Sequence, residues 1–594
     1  MTSPSEQIAG IVTSAPAYVP PHGAAAPDGE DARPAAPFWD DRDGATLAEG
    51  DGPSLPDDPD VDPDIVAACA GLDHSDTDNA ERLIRHFGPD MAVLAQEETH
   101  AGDWLGWAGT HWDKSGGAAR VHMVAQRLGG RIGMEAAFLQ HTPDEKLAVE
   151  AARRLGRSIR KDLDPDDKEL LDAANAAREG LEKRKAKRRA FAVTSKNKGR
   201  IEAALFCAAP RLRRAPDSFN ADRLRVATLT HTLTLRREED QDVAPDGSPR
   251  FCGTVKAEAV HRREDWITAA VPVGWRDGAA APRWRAFLER MLPDPEKRRT
   301  VQQFTALGLL GIPVQFVMFH FGLGANGKSV FLETIVRILG PGLAVGLPRE
   351  SLVGGSERGA GSASPDLARL FGKRMVRILE VKGDVPLQED LIKRLTGGEA
   401  IPVRTLFKGY FEFQPIATPH MSGNGKPTID GTDHGIWRRM LLVHWDQTIP
   451  EAERRDFEEV VSEFVDGEGE GILAWLVEGA LDYLANGLVI APAVQEGTAQ
   501  YRDEMDPIGV FAASCVRASP GLKVQAHTMY EAYVSWSLAN SKRARSQTKF
   551  GTVMGQRFHK AESGGRLFYH ECELHDVPTR PDTSGDPGHP GHGH

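Results

Sequence analysis

Cysteine is scarce in this 594-residue chain. There are five, Cys69, Cys207, Cys252, Cys515 and Cys572, and none forms a C-x-x-C pair. That scatter argues against a disulfide framework or a zinc ribbon and fits a reducing cytoplasm, as in a bacterial host. No run of 18 apolar residues occurs, so no membrane span and no membrane partner are expected. The opening MTSPSEQIAG has no basic start followed by an apolar core, so no secretory signal is expected. An excess of basic residues is also missing: 72 Lys and Arg against 85 Asp and Glu leave a net charge of -13. Bulk charge therefore gives no hint of nucleic acid, although a local basic patch counts for more than the sum. No internal repeat is visible.

The length implies several domains. Residues 1–75 are rich in Pro, Ala, Gly and Asp and read as a disordered acidic tail. Residues 76–300 read as a mainly helical, mixed domain. DNAERLIRHFG has helical spacing, DWLGWAGTHWDKSG looks like a Trp-rich hairpin, and RVATLTHTLTLR (225–236) alternates like one strand. The helical stretch 143–192 ends in EKRKAKRRA (182–190), either a solvated helix face or a nucleic-acid contact. Within a domain spanning 301–490, residues 314 to about 450 alternate strands and helices, which points to an α/β fold with a largely parallel sheet, and 453–487 read as helical. A small domain spans 505–577, and 578–594 reads as a disordered, His-containing tail.

The informative stretch is VQFVMFHFGLGANGKSVFLETIVRIL (314–339). Gly322 to Ser329 fits G-x-x-x-x-G-K-[ST], with a strand expected over Val314 to Phe319 and a helix over Val330 to Leu339. Glycines let backbone N–H groups turn inward around a phosphate, and the helix N-terminus adds positive dipole. Lys328 is placed to reach β- and γ-phosphates, and the Ser329 hydroxyl to ligate Mg²⁺. The nucleotide-binding residues are then Gly322, Gly324, Ala325, Asn326, Gly327, Lys328, Ser329 and Val330, with ATP and Mg²⁺ as cofactors. A second strand, in KRMVRILEVKGD (373–384), ends in Glu380, an acid able to hold Mg²⁺ through water or to polarise the attacking water.

Four stretches in this order, GLGANGKSVF, PDLARLFGKRMVRILE, LIKRLTGGEAIPVRTLFKGYFEFQP and GTDHGIWRRMLLVHW, resemble superfamily 3 helicases of the phage and plasmid primase–helicase type, relatives of the poxvirus primase–helicase. The resemblance runs from about 77 to 575 and is strongest between 319 and 445. It implies an AAA+-like P-loop ATPase core, a helical or mixed domain before it and a winged-helix domain after it. It implies a homo-oligomeric ring, usually a hexamer, moving 3′ to 5′ on single-stranded or forked DNA in phage, prophage or plasmid replication. The resemblance further implies a separate primase or other replication proteins as partners.

By that resemblance Lys328 and Ser329 match the Walker A positions, and Glu380 the Walker B acid. Val381 follows where many members carry a second acid, so one acid has to serve; Asp384 lies four residues on. Asn424 matches the polar sensor that positions water, although the family's ATN is replaced here by TPHMSGN. Arg438 and Arg439 match the arginine-finger region, which reaches into the neighbouring subunit's site, with Arg439 favoured. The hairpin VRTLFKGYFEFQP carries Arg404, Lys408 and Tyr410 as DNA contacts: a lysine neutralises phosphate and an aromatic stacks on a base. Lys542, Arg543, Arg545 and Lys549 precede a candidate recognition helix, FGTVMGQRFHK. HECELH (570–575) reads as a wing strand, since a zinc site needs a fourth ligand. The first 75 residues are too short for a catalytic primase domain, so a helicase without primer synthesis is expected. The alternative is an ATP-regulated replication initiator or loader without processive unwinding.

Overall fold

In the computed structural model the described residues are 61–95, 103–155, 163–243, 247, 249–348, 351, 365–379, 383, 386–404, 410–429 and 434–578. The chain divides into two compact units, Met1–Pro56 and Asp57–His594, and every described residue belongs to the second.

Order begins earlier than the composition indicates. The segment assigned to the tail contains a helix, Pro63–Cys69, whose Val66 and Cys69 are buried. Asp62 caps it by accepting from the N–H groups of Asp64 and Ile65, with Pro63 in the first turn. Those are strong start signals, hidden in an acidic, proline-rich background. The rest of the N-terminal part is helical, with helices Asp76–Phe87, Gly117–Gln126, Leu128–Met134, Pro143–Arg153, Pro165–Thr194 and Lys198–Ala208. A small sheet accompanies them: β1 (Met91–Leu94), β2 (Asp103–Trp107), β3 (Trp112–Asp113) and β4 (Arg213–Arg214), in the order β3-β2-β1-β4. The Trp-rich hairpin is present, with Trp107 opposite Trp112.

A buried ionic cluster ties this part together. Arg82 Nε donates to Glu135 Oε1 at 2.7 Å, and Arg188 Nη1 bonds Glu135 Oε2. Both arginines also donate to carbonyls just after the first helix, including Leu72 O. Arg184 pairs with Glu145. The basic run 182–190 is therefore neither a wholly solvated face nor a free nucleic-acid patch: Arg184 and Arg188 are held by acids of other elements, and Lys183 and Lys185 pair with Glu179 and Glu182 along the helix.

Next come β5 (Arg225–Ala227), β6 (Thr232–Val243) and β7 (Pro249–Glu258), an antiparallel sheet in that order. The stretch 225–236, expected as one strand, is two strands and a turn. Thr228 Oγ1 accepts from the N–H of His231 and of Thr230, making the turn without glycine or proline while the alternation runs on unbroken.

The central sheet contains β8 (Val317–Phe321), β9 (Ala344–Leu347) and β10 (Met375–Ile378). After these, β11 (Ile401–Arg404) and β12 (Tyr410–Phe413) form a separate hairpin. Then β13 (Thr418–Gly423) and β14 (Met440–His444) complete the central sheet, which is all parallel in the order β14-β8-β13-β10-β9. β8 starts three residues later than its apolar run. Its residues alternate between faces: Met318 packs with helices Pro282–Met291, Pro295–Leu310, Lys328–Leu343 and Phe457–Asn486, whereas Val317 and Phe319 pack with Leu391, Leu395, Phe413 and Leu442. Both faces are buried, which explains why these strands read as continuous apolar runs. The first of these cores extends from Val226 to Val494, so packing does not break at residue 300.

The C-terminal part has its own core around Phe511, Tyr533, Phe550 and Tyr569. It comprises helices Pro507–Cys515, Ala526–Ala539 and Gln547–Arg557 with β15 (Val516–Gln525), β16 (Lys560–Ser563) and β17 (Arg566–Leu574), in the sheet order β15-β17-β16. The HECEL residues lie in β17. The five cysteines are free. No helix among the described residues is long and apolar enough to cross a membrane.

Candidate functional site

The glycine loop lies at the carboxyl end of β8, where open α/β sheets bind ligands. Its shape has local causes. Gly327 takes the left-handed conformation (φ 75°) and caps the helix that begins at Lys328. A Cβ on Gly322 would press on Asn326 Nδ2 and lie 2.7 Å from Trp445 O. The segment leaving β14 braces the loop from outside: Trp445 N donates to Phe321 O at 2.8 Å and Ile449 N to Ala325 O at 2.7 Å. Asn326 Nδ2 adds a bond to Trp445 O at 3.2 Å.

Lys328 is only 5% exposed. Its ammonium donates to Gly322 O at 2.8 Å, Asn326 Oδ1 at 2.8 Å and Asn424 Oδ1 at 3.2 Å. Burial pulls its pKa down to about 8, because desolvation disfavours the charged form. Three neutral acceptors thus hold a cation at the mouth of a glycine loop, within reach of an anion. Ser329 is exposed in the first turn of the same helix and Val330 is half-buried. Gly324 (φ 119°) and Ala325 (φ 48°) carry the turn between.

Below the loop lies a set of residues that sequence reasoning missed. His320 of β8 and His420 of β13 are fully buried neighbours, His320 Nε2 to His420 Nδ1 being 3.2 Å. Trp445 Nε1 donates to His320 Nδ1 at 3.1 Å. The indole can only donate, so His320 carries its proton on Nε2 and gives it to His420 Nδ1. Burial keeps His420 neutral down to about 3 and holds His320 well below its ordinary value. This neutral chain joins β8, β13 and the segment after β14, the three elements that carry the loop, Asn424 and the loop's brace. Its sequence signal is a histidine in each of two strands, the otherwise apolar VMFHF and the mixed TPHMSG.

Not all the expected site residues converge. Asn424 follows β13 and meets Lys328. β10 ends at Ile378, beside Met421 of β13 and at the same, carboxyl end of the sheet; Glu380, Val381 and Asp384 lie outside the described residues. Arg438 and Arg439 are at the opposite, amino end of the sheet, just before β14, the neighbour of β8. The Arg439 carbonyl accepts from Val317 N at 2.7 Å, at the start of β8, about 16 Å along the strand from Gly322 at ~3.3 Å per residue. Arg438 is exposed, whereas Arg439 is half-buried and donates through Nη1 to Gly435 O at 2.8 Å.

The hairpin β11–β12 forms as expected, with Arg404 opposite Tyr410; Lys408, at its turn, lies outside the described residues. In the C-terminal part Arg543 and Lys549 are exposed and Lys542 and Arg545 half-buried. Lys542 Nζ lies 5.7 Å from the centre of the Trp536 ring. Ser546 caps the helix Gln547–Arg557 by accepting from Lys549 N.

Residues 80–293 match the family described as D5 N terminal like. The matched segment ends in the helix Pro282–Met291, whose Phe287 and Met291 lie against Gly327. Among curated proteins, the chain is 28% identical over 285 residues to a protein bearing a helicase name, 022R, of Frog virus 3 (isolate Goorha), covering 45% of this chain and 29% of that protein. It is 26% identical over 274 residues to one bearing a helicase name, L207/L206, of Acanthamoeba polyphaga mimivirus, covering 43% and 28%. It is 24% identical over 275 residues to one bearing a primase name, C962R, of African swine fever virus (isolate Pig/Kenya/KEN-50/1950), covering 43% and 28%. The chain thus spans under a third of the length of these relatives. Among solved structures, the apo C-terminal region of NrS-1 aligns over 57% of this chain and 96% of its own at 11% identity and a TM-score of 0.32. The JCV helicase aligns over 44% and 65% at 13% identity and a TM-score of 0.23. Scores this low carry no argument about the fold. By its D5 N terminal-like segment and its helicase- and primase-named viral matches, the chain is similar to the primase–helicase family.

Proposed function

We propose that this protein is an ATP-driven DNA helicase of phage, prophage or plasmid replication, working as a homo-oligomeric ring, a hexamer by family resemblance, and moving 3′ to 5′. The observation that carries the reading is the convergence of Lys328, Asn326 and Asn424 on one point at the carboxyl end of a parallel sheet, under a glycine loop and a helix N-terminus. Relatives that bear helicase names support the same class.

In this reading ATP phosphates take over the Lys328 ammonium from its three acceptors and sit on the loop's backbone N–H groups. Ser329 and Glu380 would hold Mg²⁺, which supplies charge neutralisation between the phosphates when bound. Asn424, freed from Lys328, orients the attacking water. The position of Arg438 and Arg439 at the amino end of the sheet supports a finger acting on a neighbouring subunit, since about 16 Å of β8 lies between that end and their own loop. The AAA+-like description of the core and the winged-helix description of the C-terminal part belong to this proposal, as do DNA contacts by Arg404, Lys408, Tyr410 and the 542–549 cluster.

The test is ATP hydrolysis with and without single-stranded DNA, beside unwinding of a forked duplex, with Lys328→Ala as control. DNA-stimulated hydrolysis with strand separation, both lost in the control, is expected. Hydrolysis without separation on any fork favours the initiator or loader reading. No hydrolysis by the folded wild type overturns the motor.

A further inference from the structure

The segment that carries Asn424 is fastened from behind by the helix Pro492–Met505, which lies on β14 with Thr498 Oγ1 accepting from Leu442 N at 3.0 Å. Two residues after Asn424, Lys426 donates to both carboxylate oxygens of Glu504 at 2.8 Å. Its ammonium also lies 5.0 Å from the centre of the Phe321 ring and 5.6 Å from that of Tyr501, within cation–π range. Phe321 is the last residue of β8, directly before Gly322. The fully buried Tyr501 donates its hydroxyl proton to Pro427 O, and Leu387 N donates to Thr428 O at 2.9 Å. The Lys426 side chain is only 13% exposed, so Glu504 is the counter-charge of a largely buried cation. The far end of the helix is held by the C-terminal part. Asp506 accepts from Arg557, the last residue of the helix Gln547–Arg557, at 2.6 Å and from Gly509 N at 2.8 Å. Lys542 Nζ lies 3.5 Å from Asp503 O. Glu504 therefore sits between a hold on the Asn424 segment and a hold on the basic C-terminal part.

We infer that Lys426 and Glu504 are a positioning pair that fixes Asn424 against the nucleotide and is the joint through which the C-terminal part acts on hydrolysis. This assignment rests on the proposed water-orienting role of Asn424 and adds the residues that hold it there. In the unliganded chain Asn424 is held from the front by Lys328. A nucleotide that claims the Lys328 ammonium removes that hold. The contacts behind it, at Lys426, Pro427 and Thr428, then set where its amide points. One residue, Gly425, separates Asn424 from Lys426, so a shift of the ammonium displaces the amide. Without Glu504 the largely buried cation has no counter-charge in that position and is drawn towards water, taking Asn424 with it. Binding of the phosphates needs neither residue, because the glycine loop and Lys328 supply it. A DNA phosphate that engages Lys542 competes with Asp503 O and changes the hold on the same helix end, one residue from Glu504.

The test uses the full-length chain, oligo(dT) as the DNA probe, and the variants Glu504→Gln, Lys426→Met and Lys426→Arg. Glu504→Gln and Lys426→Met are each expected to lower kcat about tenfold at unchanged KM for ATP, since a misplacement of about 1 Å can cost roughly 10²-fold. Both are expected to lose most of the stimulation of hydrolysis by oligo(dT). The double variant is expected to be no worse than either single one, as for two residues that act only through each other. Lys426→Arg, which keeps the ion pair, is expected to recover most of the turnover lost in Lys426→Met. A non-hydrolysable ATP analogue is expected to change oligo(dT) affinity in the wild type and to change it less in Glu504→Gln, because coupling between two sites is reciprocal. A fall in kcat with full stimulation by DNA makes the pair a local brace and overturns the inference. A rise in KM at unchanged kcat assigns the pair to nucleotide binding and overturns it too, as does wild-type behaviour of Glu504→Gln. An analogue that leaves oligo(dT) affinity unchanged in the wild type, or changes it equally in Glu504→Gln, also overturns it. In all four cases the motor reading stands if the wild type is stimulated by DNA. No DNA-stimulated hydrolysis by the folded wild type overturns the motor reading and the inference with it. A melting temperature near wild type is expected for Glu504→Gln, whose side chain is 48% exposed; if Lys426→Met does not fold, Glu504→Gln decides alone.

Discussion

Lys328 Nζ and Asn424 Oδ1 lie 3.2 Å apart although 96 positions separate them in the chain. The contact joins the start of the helix after β8 to the end of β13. With Asn326 and Gly322 it keeps the ammonium bonded in a buried position until a stronger acceptor arrives.

Proton uptake should accompany nucleotide binding. Lys328 titrates at about 8 in the unliganded protein, and phosphates stabilise its charged form, so binding at pH 8.5 draws a proton onto it. Calorimetry in two buffers of different ionisation enthalpy is expected to show that uptake, and Lys328→Arg to abolish it. Affinity should weaken as pH rises from 7 to 9. For stability the sign is opposite. Between about 8 and 10.5 the unfolded lysine keeps a proton that the folded one has lost, so the contribution of this group to unliganded stability increases with pH there.

Gly322→Ala should disturb the site more than its size implies. The new methyl would displace Asn326 and approach Trp445 O, costing about 2 kcal/mol or more by overpacking, with a parallel loss of nucleotide affinity. Gly346→Ala, whose methyl meets nothing within 4 Å, is the control expected to stay near wild type. Urea denaturation and nucleotide titration of both variants decide it.

The buried histidines should sharpen acid denaturation. An unfolded histidine takes up a proton below its ordinary value near 6.5, whereas His420 resists until about 3. Its contribution to stability is therefore full above about 6.5 and falls by about 1.4 kcal/mol per pH unit as pH drops towards 3. His420→Asn should flatten that limb of the stability–pH curve measured by urea titration between pH 4 and 7. An unchanged slope would contradict the burial argument.

The basic run 182–190 divides into structural and dispensable residues. Glu135→Gln leaves the Arg82 and Arg188 guanidiniums buried without a counter-charge and should destabilise by about 3–5 kcal/mol. Lys187→Ala, at an exposed position of the same helix, should change stability by under about 0.5 kcal/mol. Equilibrium unfolding of the two variants separates these outcomes.

Sequence alone determined what depends on local rules. The loop Gly322–Ser329 with its strand and helix was legible because phosphate-loop geometry, backbone conformation and helix capping are set within a dozen residues. The Trp-rich hairpin and the β11–β12 hairpin were legible because alternation and turn residues are neighbours in the chain. The helix Pro63–Cys69 escaped notice because composition is an average and its cap is two residues. The turn at Thr228–His231 escaped because a threonine hydroxyl made it where glycine or proline is the usual sign. Tertiary structure alone decided which distant groups meet. It fixed Asn424 on Lys328, the tautomer of His320 through the Trp445 indole, the burial of Arg188 against Glu135, and the separation of Arg438 from the loop by the length of β8. Those outcomes depend on strand order and register, which arise from packing two faces of a sheet over the whole domain. No local window of sequence contains that information.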